Sequence, residues 1–229
     1  MRNYISMGFG VNSVALYLDQ KDKGVDFEAV YVDLGCDWPE TKEYVEMFCN
    51  QYPVTIIKPG VIKKSIGKIY DNLYDFCHDR KIIPFRQQRW CTADFKVAPL
   101  HRYFQTPCFV LLGIDAGESH RAKLSSNKGT ENRFPLIEDG IDRNGCIEII
   151  KSHGLPVPVK SGCWFCPFQR VSEFKKLRRL HPDLFCKAVE IEKNSGKILL
   201  KTKTLPEIIN EPDTFIFEEL SYPPCQCGL

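Results

Sequence analysis

The chain has 229 residues, enough for one well-buried core with a smaller appended region and too few for two equal domains. Its 31 Lys and Arg against 29 Asp and Glu leave a net charge of +2, which argues against a protein built mainly to coat nucleic acid. Eleven cysteines, an odd and unevenly spaced set, fit thiolates that bind metal or do chemistry in a reducing compartment better than a disulfide framework.

In chain order, Tyr4 to Met7 is a short apolar strand that runs into Gly8-Phe9-Gly10, and Ser13 to Leu18 has the pattern of a helix start. Phe27 to Val32 is rich in β-formers, Pro39 opens a helix through Phe48, and Val54 to Ile57 is β-branched again. This β-α-β-α order predicts an α/β fold, a mainly parallel sheet with helices on both faces. Lys58 to Gln88 is mixed and aromatic and is expected to form short helices and loops over the carboxyl ends of the strands.

Asp94 to Phe104 reads as a helix, and Cys108 to Ile114 as a buried strand whose carboxyl end carries the loop Asp115 to Arg121. That edge is where open α/β sheets bind ligands. Asp142 to His153 reads as a helix stopped by Gly154. The composition changes near residue 160, so residues 1–159 are expected to form the main α/β domain and 160–229 a smaller cysteine-bearing and helical region. No apolar run is long enough to span a bilayer and the start MRNYISMGFG lacks a secretion core, so no membrane partner and a cytoplasmic location are expected.

The first turn carries the chemistry. Ser6-Met7-Gly8-Phe9-Gly10-Val11-Asn12-Ser13 joins a strand to a helix, and its glycines let backbone N–H groups approach phosphate oxygens. Asn12 and Ser13 add side-chain donors. The spacing fits neither a Walker A loop nor a dinucleotide fingerprint. Gly10-Val11-Asn12-Ser13 resembles the G-x-D-S part of the PP-loop, S-G-G-x-D-S, of the adenine-nucleotide α-hydrolase-like superfamily. Asn12 replaces the acid of that pattern. Val11 stands where many members carry Lys, so one positive charge for the phosphates has to come from elsewhere.

Further segments resemble the sulfonucleotide (PAPS/APS) reductase family of that superfamily, in the family's order. Val32-Asp33-Leu34-Gly35 with Pro39-Glu40-Thr41 is similar to its second strand end, where Asp33 approaches the adenosine or serves as a plain turn residue. Arg89-Trp90-Cys91-Thr92 with Lys96-Val97-Ala98-Pro99-Leu100 is similar to the segment in which a cysteine pair precedes Lys-Val-x-Pro-Leu; only the first cysteine is present. Gly113 to Arg121 resembles the loop G-I-R-x-x-E-S-x-R, which implies a ligand-facing role for Gly113, Glu118, Ser119 and above all Arg121. A guanidinium grips such an oxyanion bidentately, and the alternative for Arg121 is a salt bridge with Glu118. Phe134-Pro135-Leu136-Ile137 and His153-Gly154-Leu155-Pro156 match the stretch that leads into Gly162-Cys163-x-x-Cys166.

The resemblance implies ATP or PAPS/APS as ligand and Lys96, Arg121 and Cys227 as catalytic residues. It also implies a 4Fe–4S cluster on Cys91, Cys163 and Cys166, with Cys225 or Cys227 available where Thr92 replaces the fourth cysteine. Zinc and metal-free thiols are the competing readings. Cys227-Gly228-Leu229 is similar to the start of the reductase tail, whose cysteine attacks the sulfonate sulfur. Without the tail's acid and histidine, Cys227 has nothing evident to lower its pKa, and a metal ligand or an inert tail are the other readings. Three functions follow as expectations: sulfonucleotide reduction with thioredoxin as electron source, ATP-dependent adenylation with sulfur delivered from a sulfur donor to a nucleic-acid acceptor, or a non-catalytic nucleotide and metal sensor. Cys49, Cys108 and Cys186 lie in apolar patterns and are expected in the core.

Overall fold

The protein's structure is a computed structural model that describes residues 1–63, 67–123, 128–200 and 203–209. Its strands and helices, in chain order, are Arg2–Met7 (β1), Val11–Asp22 (α1), Glu28–Val32 (β2), Pro39–Cys49 (α2), Thr55–Ile57 (β3), Val61–Lys63 (β4), Lys68–Tyr70 (β5) and Leu73–Arg80 (α3). Then come Trp90–Thr92 (α4), a π turn over Ala93–Val97, Ala98–Tyr103 (α5), Cys108–Leu111 (β6), a 3-10 turn over Ala116–Arg121, and Thr130–Arg133 (β7). The helices Pro135–Glu138 (α6), Arg143–Ser152 (α7), Val171–Leu180 (α8), Pro182–Ser195 (α9) and Leu205–Ile209 (α10) follow.

Five strands form one parallel sheet in the order β3-β2-β1-β6-β7. Because successive side chains of a strand point to opposite faces, the inner strands supply two cores. Tyr4, Val30, Val32, Cys108 and Val110 face α3, α8, α9 and α10 through Phe76, Phe174, Leu177, Phe185, Ile191 and Leu205. Ile5, Met7, Ala29, Tyr31 and Leu111 face α1, α2 and α7 through Val14, Leu18, Phe48, Cys146 and Ile150. The α/β architecture with helices on both faces is therefore as the sequence predicts.

Some boundaries differ for physical reasons. Lys58 to Gln88 contains an antiparallel hairpin, β4 with β5, and a full helix, α3, capped by the Asn72 side chain accepting from the amides of Tyr74 and Asp75. The expected helix over 94–104 begins at Trp90 and passes through the π turn that carries Lys96. β6 stops at Leu111, short of the expected Ile114. The edge strand β7, Thr-Glu-Asn-Arg, has no apolar alternation to announce it. Of the cysteines assigned to the core, Cys108 is buried, Cys49 is half-buried and Cys186 is exposed, which corrects that reading for Cys186. No helix among the described residues is long and apolar enough to cross a membrane.

Candidate functional site

The sheet order reverses at β1, since β2 and β3 lie on one side of it and β6 and β7 on the other. The carboxyl ends of β1 and β6 therefore flank a topological switch point, where an open α/β sheet leaves a crevice. The first turn fills one wall of it. Gly10 is the N-cap of α1 and gives no side-chain cap, so the first amides of the helix have no intrahelical partner and present the positive end of its dipole.

Phe9 adopts φ +51°, a left-handed conformation that costs a non-glycine residue on the order of 1–2 kcal/mol. It is held there by burial, with its ring edge-on to Tyr31 at 5.0 Å and to Phe48 at 5.7 Å. The wall opposite is as close. A Cβ on Gly113 would lie 2.8 Å from the Cα and N of Ser13 and 2.9 Å from the carbonyl carbon of Asn12. Only glycine at the end of β6 lets the first turn of α1 sit this near.

The side chains expected to reach a ligand from this turn are engaged within the protein. Ser13 Oγ donates to the Gly10 carbonyl at 3.0 Å and accepts from the Gly8 amide at 3.3 Å. Asn12 is buried; its Nδ2 donates to Asp115 Oδ2 at 2.8 Å, and its Oδ1 accepts from Arg143 Nη1 at 2.8 Å. The donors this turn offers outward are thus its backbone amides. Ser6 is half-buried within β1.

Asp115 caps the 3-10 turn through the Glu118 amide, 3.1 Å from its Oδ1, and so sets the loop that carries Glu118, Ser119 and Arg121. Arg121 Nη1 donates to Glu118 Oε2 at 2.6 Å, the ion pair weighed as the alternative, while Ser119 is exposed. Asp33 is likewise engaged, accepting from the Gly35 amide at 2.8 Å and from Lys58 Nζ at 2.5 Å. Burial alone would raise its carboxyl pKa, but the Lys58 and Gly35 hydrogen bonds outweigh it and hold the pKa below the usual range.

On the other side of the turn lies sulfur. A Cβ on Gly10 would come 3.1 Å from Ser161 Oγ, so the buried Ser161 closes over the first turn. Two residues further along, Cys163 forms an antiparallel bridge with Asp37, and the Trp164 amide donates to the Cys36 carbonyl at 3.0 Å. This backbone pairing brings Cys36 Sγ and Cys163 Sγ to 3.3 Å, as free thiols in contact. Gln169 Nε2 holds the Cys163 carbonyl at 2.6 Å.

Cys36 and Cys77 have no motif to mark them in the sequence, although Cys36 lies in the loop that leaves the carboxyl end of β2, a position where ligand-facing residues are common. Cys77 and Cys91 belong to the same neighbourhood. Burial is the leading cause raising the pKa of Cys36, Cys77 and Cys91, and nearby thiols add to the rise of Cys77 and Cys91, while the Cys163 contact partly offsets it for Cys36; for Cys163 the Cys36 contact is the leading cause and burial the second. Lys96 acts the other way on Cys36, Cys91 and Cys163, so the lysine expected in catalysis stands by the thiols.

The donor chemistry of these thiols suits a soft metal. Among the described residues, however, no three His, Cys, Asp or Glu side chains converge into a ligand set. Cys166 packs half-buried against the same core as Cys91, with its amide on the Cys163 carbonyl at 3.1 Å. Cys225 and Cys227 lie outside the described residues.

With this geometry in view, the chain resembles a solved crystal structure of phosphoadenylyl-sulfate (PAPS) reductase from Candida auris in a phosphate complex, with a TM-score of 0.54 over 72% of this chain and 82% of that one at 17% identity. The chain has a PAPS reductase-like fold. No protein-family model matches it. Among curated sequences it is similar to two uncharacterized proteins of Methanocaldococcus jannaschii, MJ0973 (27% identity, 75% of this chain, 43% of that protein) and MJ0066 (23% identity, 75% of this chain, 37% of that protein). The chain therefore spans less than half the length of either curated relative. The PAPS reductase-like fold agrees with the resemblance drawn from the motifs.

Proposed function

We propose that this chain is a PP-loop enzyme of the PAPS/APS reductase type, which takes an adenine nucleotide by its anionic end at the first turn and acts on sulfur beside it. The observation that carries this reading is the segment from Ser161 to Cys163, which touches the glycine turn with one residue and the Cys36 thiol with another. An anion site and a thiol site thus share one wall. The structural neighbour was solved as a phosphate complex, which supports an anionic ligand for a protein of this fold.

In the first turn the backbone amides bind and orient the anionic group, as helix starts do. Arg121 exchanges its Glu118 partner for a sulfate or phosphate, the exchange a planar guanidinium suits. Lys96 keeps positive charge beside the thiols, which favours thiolate over thiol. Cys91, Cys163 and Cys166 do not converge into a ligand set here, so a metal or iron–sulfur group, a thiophilic Lewis acid, would be held only if these thiols drew together, and the proposed reduction has no step through it.

For sulfonucleotide reduction, a cysteine thiolate attacks the sulfonyl sulfur and the nucleoside phosphate leaves with the bonding electron pair. A dithiol such as reduced thioredoxin then forms a disulfide and releases sulfite, and the cysteine regains its proton. Cys227 is the sequence candidate for that thiolate. The test is sulfite release from PAPS or APS with reduced thioredoxin, in wild type and Cys227→Ser, beside pyrophosphate release from ATP with nucleic-acid acceptors. Sulfite lost in the variant supports reduction. Pyrophosphate without sulfite assigns the chain to adenylation, and binding without turnover assigns it to sensing.

A further inference from the structure

The phosphate turn lacks the lysine that its pattern leads one to expect, and it carries an amide where the pattern has an acid. Both departures meet in one cluster. Asn12 and Asp115 are 7% and 2% exposed, so neither polar group is satisfied by water. Asn12 accepts from Arg143 on its oxygen and donates to Asp115 from its nitrogen, each at 2.8 Å. Asp115 then spends its other oxygen on the Glu118 amide at 3.1 Å.

We propose that Arg143, Asn12 and Asp115 form one charge-balanced unit beneath the phosphate turn, in which Arg143 is the positioning residue that holds Asn12 and offsets the Asp115 carboxylate, so that an anion at the turn does not meet an uncompensated negative charge. The proposal rests on the nucleotide reading above and deepens it. Arg143 is the first residue of α7, and α7 packs along α1, so the guanidinium is carried to the start of α1 by two helices rather than by a loose side chain. It bonds to Asn12, within the first turn of α1, where an anion would be held.

The unit also dictates asparagine. A carboxylate at position 12 would face the Asp115 carboxylate at 2.8 Å in a buried site, and two such groups cannot both stay ionised. The amide accepts from Arg143 and donates to Asp115 at once, which an ionised carboxylate of the same size does not. Position 115 is where the family pattern G-I-R has arginine, so the two unlike positions are in contact and their charges change together, with Arg143 restoring the balance.

The experiment combines thermal unfolding with calorimetric titration of ATP and of adenosine. In the swap series, Asn12→Asp lowers both Tm and ATP affinity, and the loss of Tm eases as pH falls and one carboxylate is protonated. The double variant Asn12→Asp/Asp115→Asn recovers both, because the acid then accepts from Arg143 and from the amide now at 115. Arg143→Ala weakens ATP by about tenfold, the scale of one charge-assisted hydrogen bond, while adenosine is held as before. Arg143→Lys keeps part of the ATP affinity, which a purely structural arginine would not explain.

An Asn12→Asp protein with wild-type Tm, or a double variant no better than the single, overturns the unit. Equal loss of ATP and adenosine in Arg143→Ala overturns the role in holding charge. If Asn12→Asp fails to fold, folding of the double variant supports the unit and its failure to fold counts against it. Should the wild type bind neither ATP nor PAPS, the nucleotide reading and with it the role of Arg143 fail, while the Tm series still decides the buried unit.

Discussion

The two faces of the sheet solve opposite problems. On the face of α1, α2 and α7, charge is buried in balance, with Arg143, Asn12 and Asp115 satisfying one another beneath an aromatic lock of Phe9, Tyr31 and Phe48. On the face of α3, α8 and α9, four cysteines gather around an apolar core that opposes their ionisation. The first arrangement underlies the turn proposed to seat an anion. The second stores thiols in their protonated form beside it, with Lys96 as the local counterweight.

The largest effect separates the faces by packing. Phe48 and Phe165 are both fully buried, one in each core, and Phe→Ala at either is expected to cost about 3–5 kcal/mol in urea unfolding. Their consequences for sulfur should differ. Phe165 stands between Cys163 and Cys166 in sequence and packs on Trp164 at 4.7 Å, so Phe165→Ala opens the thiols to maleimide in the native state. Phe48→Ala leaves them as protected as in wild type. Equal labelling of both variants under native conditions would erase the contrast between the faces.

A smaller effect tests the seam where they meet. Gly113→Ala drives a methyl into the backbone of Asn12 and Ser13 and is expected to cost about 1–3 kcal/mol, with ATP affinity falling as the turn is displaced. Gly8→Ala meets nothing within 4 Å and should be tolerated. A Gly113→Ala protein as stable as wild type would mean that β6 and α1 do not approach as closely as this.

The sequence made the anion face partly legible and the sulfur face less so, for one reason. A glycine turn between strand and helix is a local pattern, so Gly8 to Ser13 could be read from neighbouring residues. The partners of Asn12 lie 103 and 131 residues away, and Cys36 is 127 residues from Cys163; only the fold brings them together. Cys163 and Cys166 announced themselves by spacing, whereas Cys36 and Cys77 have no spaced partner. β7 went unread because Thr130–Arg133 is polar and finds its place by pairing with β6.

Thiol labelling sharpens the comparison without altering the fold. Among the cysteines of the described residues, the exposed Cys186 should react first with iodoacetamide at neutral pH, and Cys36 and Cys163 last, in mass spectra of the native protein. The thiolate is the reacting form. Burial holds Cys36 in the thiol form and the contact with Cys36 does the same for Cys163, so their labelling accelerates as pH rises toward those raised pKa values. Fast labelling of either at neutral pH would mean that Lys96 outweighs burial.

The smallest effect belongs to the anion face, where His153 ties the end of α7 to the end of α1. Its Nδ1 lies 2.9 Å from the Ile149 carbonyl and its Nε2 3.1 Å from Asp22 Oδ1. The carbonyl is the larger cause and Asp22 the smaller in raising its pKa above the ordinary histidine value, since both favour the protonated ring. A histidine whose pKa is higher in the folded state adds stability that is fully present below its unfolded pKa of about 6.5 and fades as pH rises through the folded value. His153→Ala should therefore cost more at acidic than at alkaline pH, by less than about 1 kcal/mol because the pair with Asp22 faces solvent. High salt should shrink that difference, as it screens an exposed ion pair. A cost that stays the same across the titration would assign His153 to packing alone, and α7 would then be held against α1, with Arg143 at its start, by apolar contact.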